Sequence, residues 1–202
     1  MRIINQQNGS TYQEASSILL ELCAIDQNSL QSQISMVSTY LRGLGESRQL
    51  KPFHNPDLLW RHRKEALWSA LSAFPNCEAL ITDICVPISN LPHVIEKIGK
   101  MLDSSSLVSA PIIAHAGDGN VHTILLFRPH QKREVDELND RMVSLALEFD
   151  GTCTGEHGIG IGKRKFLKQE LGENAVQTMK TIKHSLDPKN LLNPKKIIPD
   201  NN

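Results

Sequence analysis

The sequence predicts an α+β domain, a largely antiparallel sheet covered by helices. Three observations carry this. Two β-rich runs meet across a glycine-rich bend in the stretch from Pro111 to Phe127, PIIAHAGDGNVHTILLF. Apolar residues at helical spacing (Val135, Leu138, Met142, Leu145, Phe149) line one side of a segment from about Gln131 to Phe149. The element order is strand–helix–helix–strand–helix–strand–strand–helix, then two more helices, without the strict alternation of a parallel sheet.

The opening MRIINQQNGS reads as the tail of a preceding helix, not as a signal or transit peptide. Ser17–Ala24 is an apolar run of strand length. Leu30, Ile34, Val37, Tyr40 and Leu41 then recur at helical spacing, and Gly43 marks the end. After a linker at Pro52–Pro56, Asn55 or Asp57 can cap a helix over Leu58–Phe74, which Pro75-Asn76 closes. Arg61, Arg63 and Lys64 fall in the first turns of this expected helix, where cations oppose the macrodipole; alone they read as a surface charge run.

Ala79–Val86 (ALITDICV) is the next strand, ended by Pro87. Asp83 is a polar residue within it and needs a partner. Ser89 or Asn90 can cap a helix through Leu102, with Val94, Ile95, Ile98, Met101 and Leu102 as its stripe. The two histidine-bearing strands and the helix at 131–149 follow. A basic helix at Lys163–Leu171 ends at Gly172, and a last helix runs to Leu186, stopped by Asp187-Pro188. The Lys163-Arg164-Lys165 run reads as a solvated helix start.

Composition narrows the function classes. The 202 residues suit one domain or one plus a fraction, and 22 basic side chains balance 22 acidic ones. Neither sign clusters strongly, so nothing points to nucleic acid or an anionic membrane. No apolar run reaches transmembrane length. The four cysteines (Cys23, Cys77, Cys85, Cys153) show no paired or zinc-finger spacing and read as reduced, packed thiols.

The chemistry-bearing residues gather in two places. His115 ends the first β-rich run and His122 begins the second, so two imidazoles face each other across Ala116–Asn120. Further on, Gly155–Gly160 (GEHGIG) holds Glu156 and His157 between glycines, where little bulk hinders a ligand. Two histidines and a carboxylate on rigid elements form the ligand set of an open first-row metal site, here His115, His122 and Glu156. His157 is left for proton transfer. Asp118 and Asn120 read as loop holders or partners of the histidine ligands.

HAGDGNVH, TGEHGIGIGKR and LDPKNLLNPKKI, taken together, resemble the C-terminal half of the FAD-linked 2-hydroxy-acid dehydrogenases of the vanillyl-alcohol-oxidase flavoprotein superfamily. The resemblance runs from about Tyr12 to Pro199. It implies a ferredoxin-like cap domain spanning residues 1–202, with FAD held mainly by a separate N-terminal domain that is expected to lie outside this chain. It implies oxidation of a small 2-hydroxy acid such as D-lactate, with glycolate and D-2-hydroxyglutarate as alternatives, and a zinc or manganese ion. It further implies a mitochondrial location, an electron acceptor such as cytochrome c, and room for a homodimer.

By the same resemblance, the WxxRKEA pattern makes Arg63 the grip on the substrate carboxylate, which a guanidinium fork fits well. Asn193, in the returning tail, becomes a cofactor contact. The tail reads NPKK where the family usually has NPGK, so Lys195 is not expected to reach the backbone geometry of a glycine. Two rival readings stand beside the dehydrogenase: a metal-dependent hydrolase using the same ligands, and a non-catalytic partner of a full-length homologue.

Overall fold

The computed structural model describes residues 1–45, 50–53 and 55–199. The chain forms two compact units, Met1–Ala73 and Phe74–Asn202.

The first unit is helical. Helix α1 (Arg2–Asn8) ends on Gly9 in the left-handed conformation, φ 63. The Asn5 amide then holds the chain at Tyr12, accepting from its N–H at 2.9 Å and donating to its carbonyl at 2.8 Å. Helix α2 (Gln27–Gly43) is capped by Asp26, whose carboxylate accepts from Ser29 N–H. Asn55 caps α3 (Pro56–Lys64), and α4 (Ala66–Ala73) packs against α1.

Three expectations change here. Ser17–Ala24 is not a strand: no described residue pairs with it, and Ile18 and Leu20 are 74% and 53% exposed. Apolar length without a ladder partner leaves the backbone groups unpaired, so it does not make a strand. The single helix expected over Leu58–Phe74 is two, broken at Glu65 (φ −86, ψ 2). Arg61, His62, Arg63 and Lys64 therefore occupy the last turn of α3, where cations complement the macrodipole instead of opposing it.

The second unit is the α+β domain. Its central strand β4 (Asn120–Phe127) is buried along its whole length. Strands β1 (Glu78–Ile81) and β2 (Ile84–Cys85) pair antiparallel with one edge of β4 in a single continuous register; β3 (Ile112–His115) pairs antiparallel with the other. The strand expected over Ala79–Val86 is thus present but interrupted at Thr82-Asp83. Thr82 still bonds across the gap, its N–H to Thr123 O at 3.0 Å and its hydroxyl oxygen from Thr123 N–H at 2.9 Å.

Helix α5 (Leu91–Asp103) connects the broken strand to β3. Helix α6 (Lys132–Glu148) follows β4 after a short 3-10 turn at Pro129–Gln131. An isolated bridge joins Cys85 to Thr152 on the outer side of β2. Reading across the sheet, Thr152, then β1/β2, β4 and β3 give the ferredoxin-like order, with the fourth strand shrunk to one bridge. This is the α+β arrangement expected from the sequence.

Val121, Leu125 and Phe127 on β4 share a core with Val94 and Ile98 of α5 and Val135, Met142 and Val143 of α6. Side chains alternate along a strand, so Asn120 and His122 point to the opposite face. Beyond α6, a 3-10 turn (Arg164–Phe166) leads into α7 (Leu167–Leu186), which is broken at Gly172 (φ 79), as the sequence predicts. None of the described helices is long and apolar enough to cross a membrane.

Candidate metal centre

The histidines are brought together by strand register. His115 on β3 stands opposite Asn120 on β4, which places it diagonally from His122 on the same face. Their rings meet edge to face, with centroids 5.7 Å apart. The bend between the strands is tight enough to need glycine. Gly119 has φ 75, and a Cβ there would stand 1.9 Å from Val86 O.

His122 is oriented from behind. Its Nδ1 lies 3.1 Å from the Thr82 carbonyl, which can only accept. A ring proton therefore sits on Nδ1, and Nε2 is presented forward. That Nε2 is 3.0 Å from Glu156 Oε1. Two acceptors this close repel each other unless a proton or a cation lies between them. One ligand atom each from His115, His122 and Glu156 falls within 4.8 Å of the others, so the set fits one ion. Asn120 Oδ1, buried beside the site, has no hydrogen-bond partner. The three side chains expected to bind metal are thus assembled in one place.

His157 stacks on His122 with ring centroids 5.1 Å apart, and its Nε2 is 3.7 Å from Glu156 Oε1. Its side chain remains about half exposed, open to a ligand approaching the same carboxylate.

One participant carried no role in the sequence reading. Asp83 is 1% exposed. Its Oδ2 accepts from Thr154 Oγ1 at 2.7 Å, from the N–H groups of Gly155 and His157 at 2.9 Å, and from Glu156 N–H at 3.1 Å. Burial pushes its pKa upward. The His157 N–H, the Thr154 hydroxyl, the Glu156 N–H and the Lys163 charge outweigh burial and hold it at about 2. Asp83, His122 and His157 also form a ligand-like triad within 4.8 Å. Asp83 is, however, committed to those donors, whereas Glu156 is not. The signal for Asp83 in the sequence was an acid within an apolar strand.

Lys163 is not the solvated residue expected. Its ammonium donates to the carbonyls of Asp83 and Cys153, and burial lowers its pKa against the raising pull of Asp83. Cys153, next to the loop, is fully buried. Burial and the adjacent Glu170 push its thiol up to about 12, which makes it unreactive packing.

Of the other two expected residues, one lies in each unit. Arg63 is a half-buried residue of α3 in the first unit. Asn193 is exposed in the tail with φ 46, and its side chain accepts from Lys196 Nζ at 3.3 Å. Lys195 corrects its expectation: it does adopt a glycine-like φ of 62, and its carbonyl accepts from Arg164 Nη1 at 2.9 Å. That bond, with Ile197 N–H on Gly160 O at 2.7 Å, ties the tail to the GIG segment.

A ferredoxin-like sheet thus carries a His/His/carboxylate cluster on the face opposite its helix-packed core, with a further imidazole beside it. The chain belongs to the family described as FAD linked oxidases, C-terminal domain, whose profile matches residues 1–197. It is 45% identical over 98% of its length to D-lactate dehydrogenase [cytochrome], mitochondrial, of Arabidopsis thaliana, and covers 36% of that protein. It is 38% identical over 96% of its length to the probable D-lactate dehydrogenase, mitochondrial, of Danio rerio, covering 40%. Glycolate oxidase subunit GlcD of Bacillus subtilis is 33% identical over 66% of this chain, 29% of its own length. The chain thus spans well under half the length of these curated relatives.

Proposed function

We propose that this chain is the substrate- and metal-binding part of a mitochondrial, FAD-dependent D-2-hydroxy-acid dehydrogenase that oxidises D-lactate to pyruvate. The observation that carries this is His122 Nε2 facing Glu156 Oε1 at 3.0 Å, with His115 alongside. The names of the Arabidopsis and Danio relatives support D-lactate over glycolate, a mitochondrial location and, for the former, a cytochrome as acceptor.

His115, His122 and Glu156 would hold a zinc or manganese ion. When bound, the ion supplies Lewis-acid polarisation of a substrate hydroxyl, and FAD supplies the hydride acceptor. His157 Nε2, 3.7 Å from Glu156 Oε1, takes the hydroxyl proton. The buried wall of Thr82, Asp83 and His122 limits water on one side of the site. Arg63 grips the substrate carboxylate through its two-pronged guanidinium, and Asn193 contacts the cofactor; both roles rest on sequence pattern.

Elemental analysis of the purified chain tests the centre. About one equivalent of zinc or manganese is expected, and protein that is metal-free and takes up none on titration would refute it. D-lactate-dependent dye reduction by the chain joined to its flavin-binding part tests the reaction. Reduction with glycolate in preference to D-lactate would overturn the substrate assignment.

A further inference from the structure

We infer that Asp83 is the positioning residue of this site: a buried anion that shapes the loop carrying Glu156 and His157 by gathering its backbone N–H groups, before any metal binds. This rests on the reading of Glu156 as ligand and His157 as base, and adds the residue that sets both.

The local geometry has three parts. Strand pairing fails at Thr82-Asp83, although the register continues on either side of the gap. The interruption leaves the Asp83 carboxylate available to the 154–157 loop. Four donors from four successive residues, Thr154 to His157, converge on it. Successive backbone N–H groups around one anion form a nest, an arrangement usually met around bound phosphate and here filled by the protein's own carboxylate. Finally, Lys163 donates to the carbonyls of Asp83 and Cys153, which fastens the strand gap to the residue entering the loop.

Two side chains with separate tasks thereby share one backbone anchor. Glu156 turns its carboxylate toward His122 and His157 stacks on the same ring. The hydrogen bonds described from Glu156 and His157 to Asp83 come from their backbone N–H groups, so Asp83 acts on them through the main chain. An ion taking Oδ2 would displace the donors that order the loop. An asparagine at 83 keeps the size of the side chain, but its NH2 group would face backbone donors and its oxygen carries no full charge. The loop would lose at least one hydrogen bond to a charged acceptor.

Amide hydrogen exchange on the metal-free 202-residue chain, read alongside zinc titration, tests this. In the wild type, the N–H groups of Gly155, Glu156 and His157 should be protected without metal. Asp83→Asn should speed their exchange by roughly ten- to a hundredfold and weaken zinc binding by roughly the same factor. Protection across β4 should stay unchanged, a split that a general loss of packing would not give. Asp136→Asn, which breaks an exposed ion pair with Lys132, should alter neither.

If Asp83→Asn does not fold, Thr154→Val removes one donor and leaves the acid in place, and should give a smaller shift in the same direction. Unprotected loop amides in the metal-free wild type would overturn the inference, as would wild-type protection and zinc affinity in Asp83→Asn. Protection that depends on Asp83 in a wild type that binds no zinc would support the positioning role while defeating the metal assignment.

Discussion

Gly155 lies against the side chain of Asn120: a Cβ built on it would stand 2.3 Å from Asn120 Oδ1 and 2.5 Å from Cγ. Asn120 is 5% exposed and cannot swing aside into solvent. Gly155→Ala should push the 154–157 loop outward, loosening Glu156 from His122. Overpacking of this kind costs about 1–3 kcal/mol. Thermal unfolding and zinc titration should both register it, and an alanine variant with wild-type zinc affinity would show that the contact does not fix the loop.

His122 and His157 stack, yet their replacement should separate cleanly. His122→Ala removes the side chain held by Thr82 O and aimed at Glu156, so metal content should fall to background. His157→Ala should keep its metal. In the enzyme with its flavin-binding part present, it should lower kcat by roughly two to four orders of magnitude. Metal analysis of both proteins decides, and loss of metal from His157→Ala with retention in His122→Ala reverses the two roles.

Arg63→Ala, assayed in the same complete enzyme, should raise KM for D-lactate more than it lowers kcat, because a carboxylate grip acts in both ground and transition states. Arg63→Lys should recover only part of the affinity, as an ammonium lacks the fork. An unchanged KM in Arg63→Ala would place the carboxylate elsewhere.

The tail should respond to acid through Asp187. Its carboxylate accepts from the N–H groups of Leu191 at 2.9 Å and Leu192 at 2.8 Å, and from Lys183. Lys183 first, then those N–H groups, lower its pKa from 3.8 to about 2. A depressed folded value means the stabilisation is complete above the unfolded pKa and is lost as pH falls through the folded one. Protection of the Leu191 and Leu192 amides should therefore persist at neutral pH and decline between about pH 4 and about pH 2. In Asp187→Asn the same amides should be less protected at neutral pH and flat across that window.

Much of the centre was legible because its residues are locally conspicuous. HAGDGNVH announces a turn between two histidine-bearing strands, and GEHGIG exposes an acid and an imidazole between glycines. What escaped depends on partners distant in sequence. Asp83 could be seen to need a partner, but that the partner is four consecutive donors around Thr154–His157 is a tertiary fact. Lys163 looked solvated because a basic run carries no sign of which member turns inward. Ser17–Ala24 had the apolar length of a strand, and composition could not tell that no strand among the described residues pairs with it. In α3, one misplaced helix end at Glu65 reversed the sense of a macrodipole argument.

The gap at Thr82-Asp83 also bears on how the domain comes into being. The bonds joining Asp83 to the loop close chain separations of 71 to 74 residues, with α5, the β3–β4 hairpin and α6 in between. Contacts so far apart incur their full closure entropy before they return any stabilisation, so they form after the nearer pairings. A growing chain presents His115 and His122 well before Glu156 and His157 have been made. The hairpin can thus exist with two of the proposed ligands and no third, and an ion captured then would be held weakly. With the proposed ligand set, firm capture would wait for α6 to dock and the loop to reach Asp83, which would make metal retention a readout of completed folding.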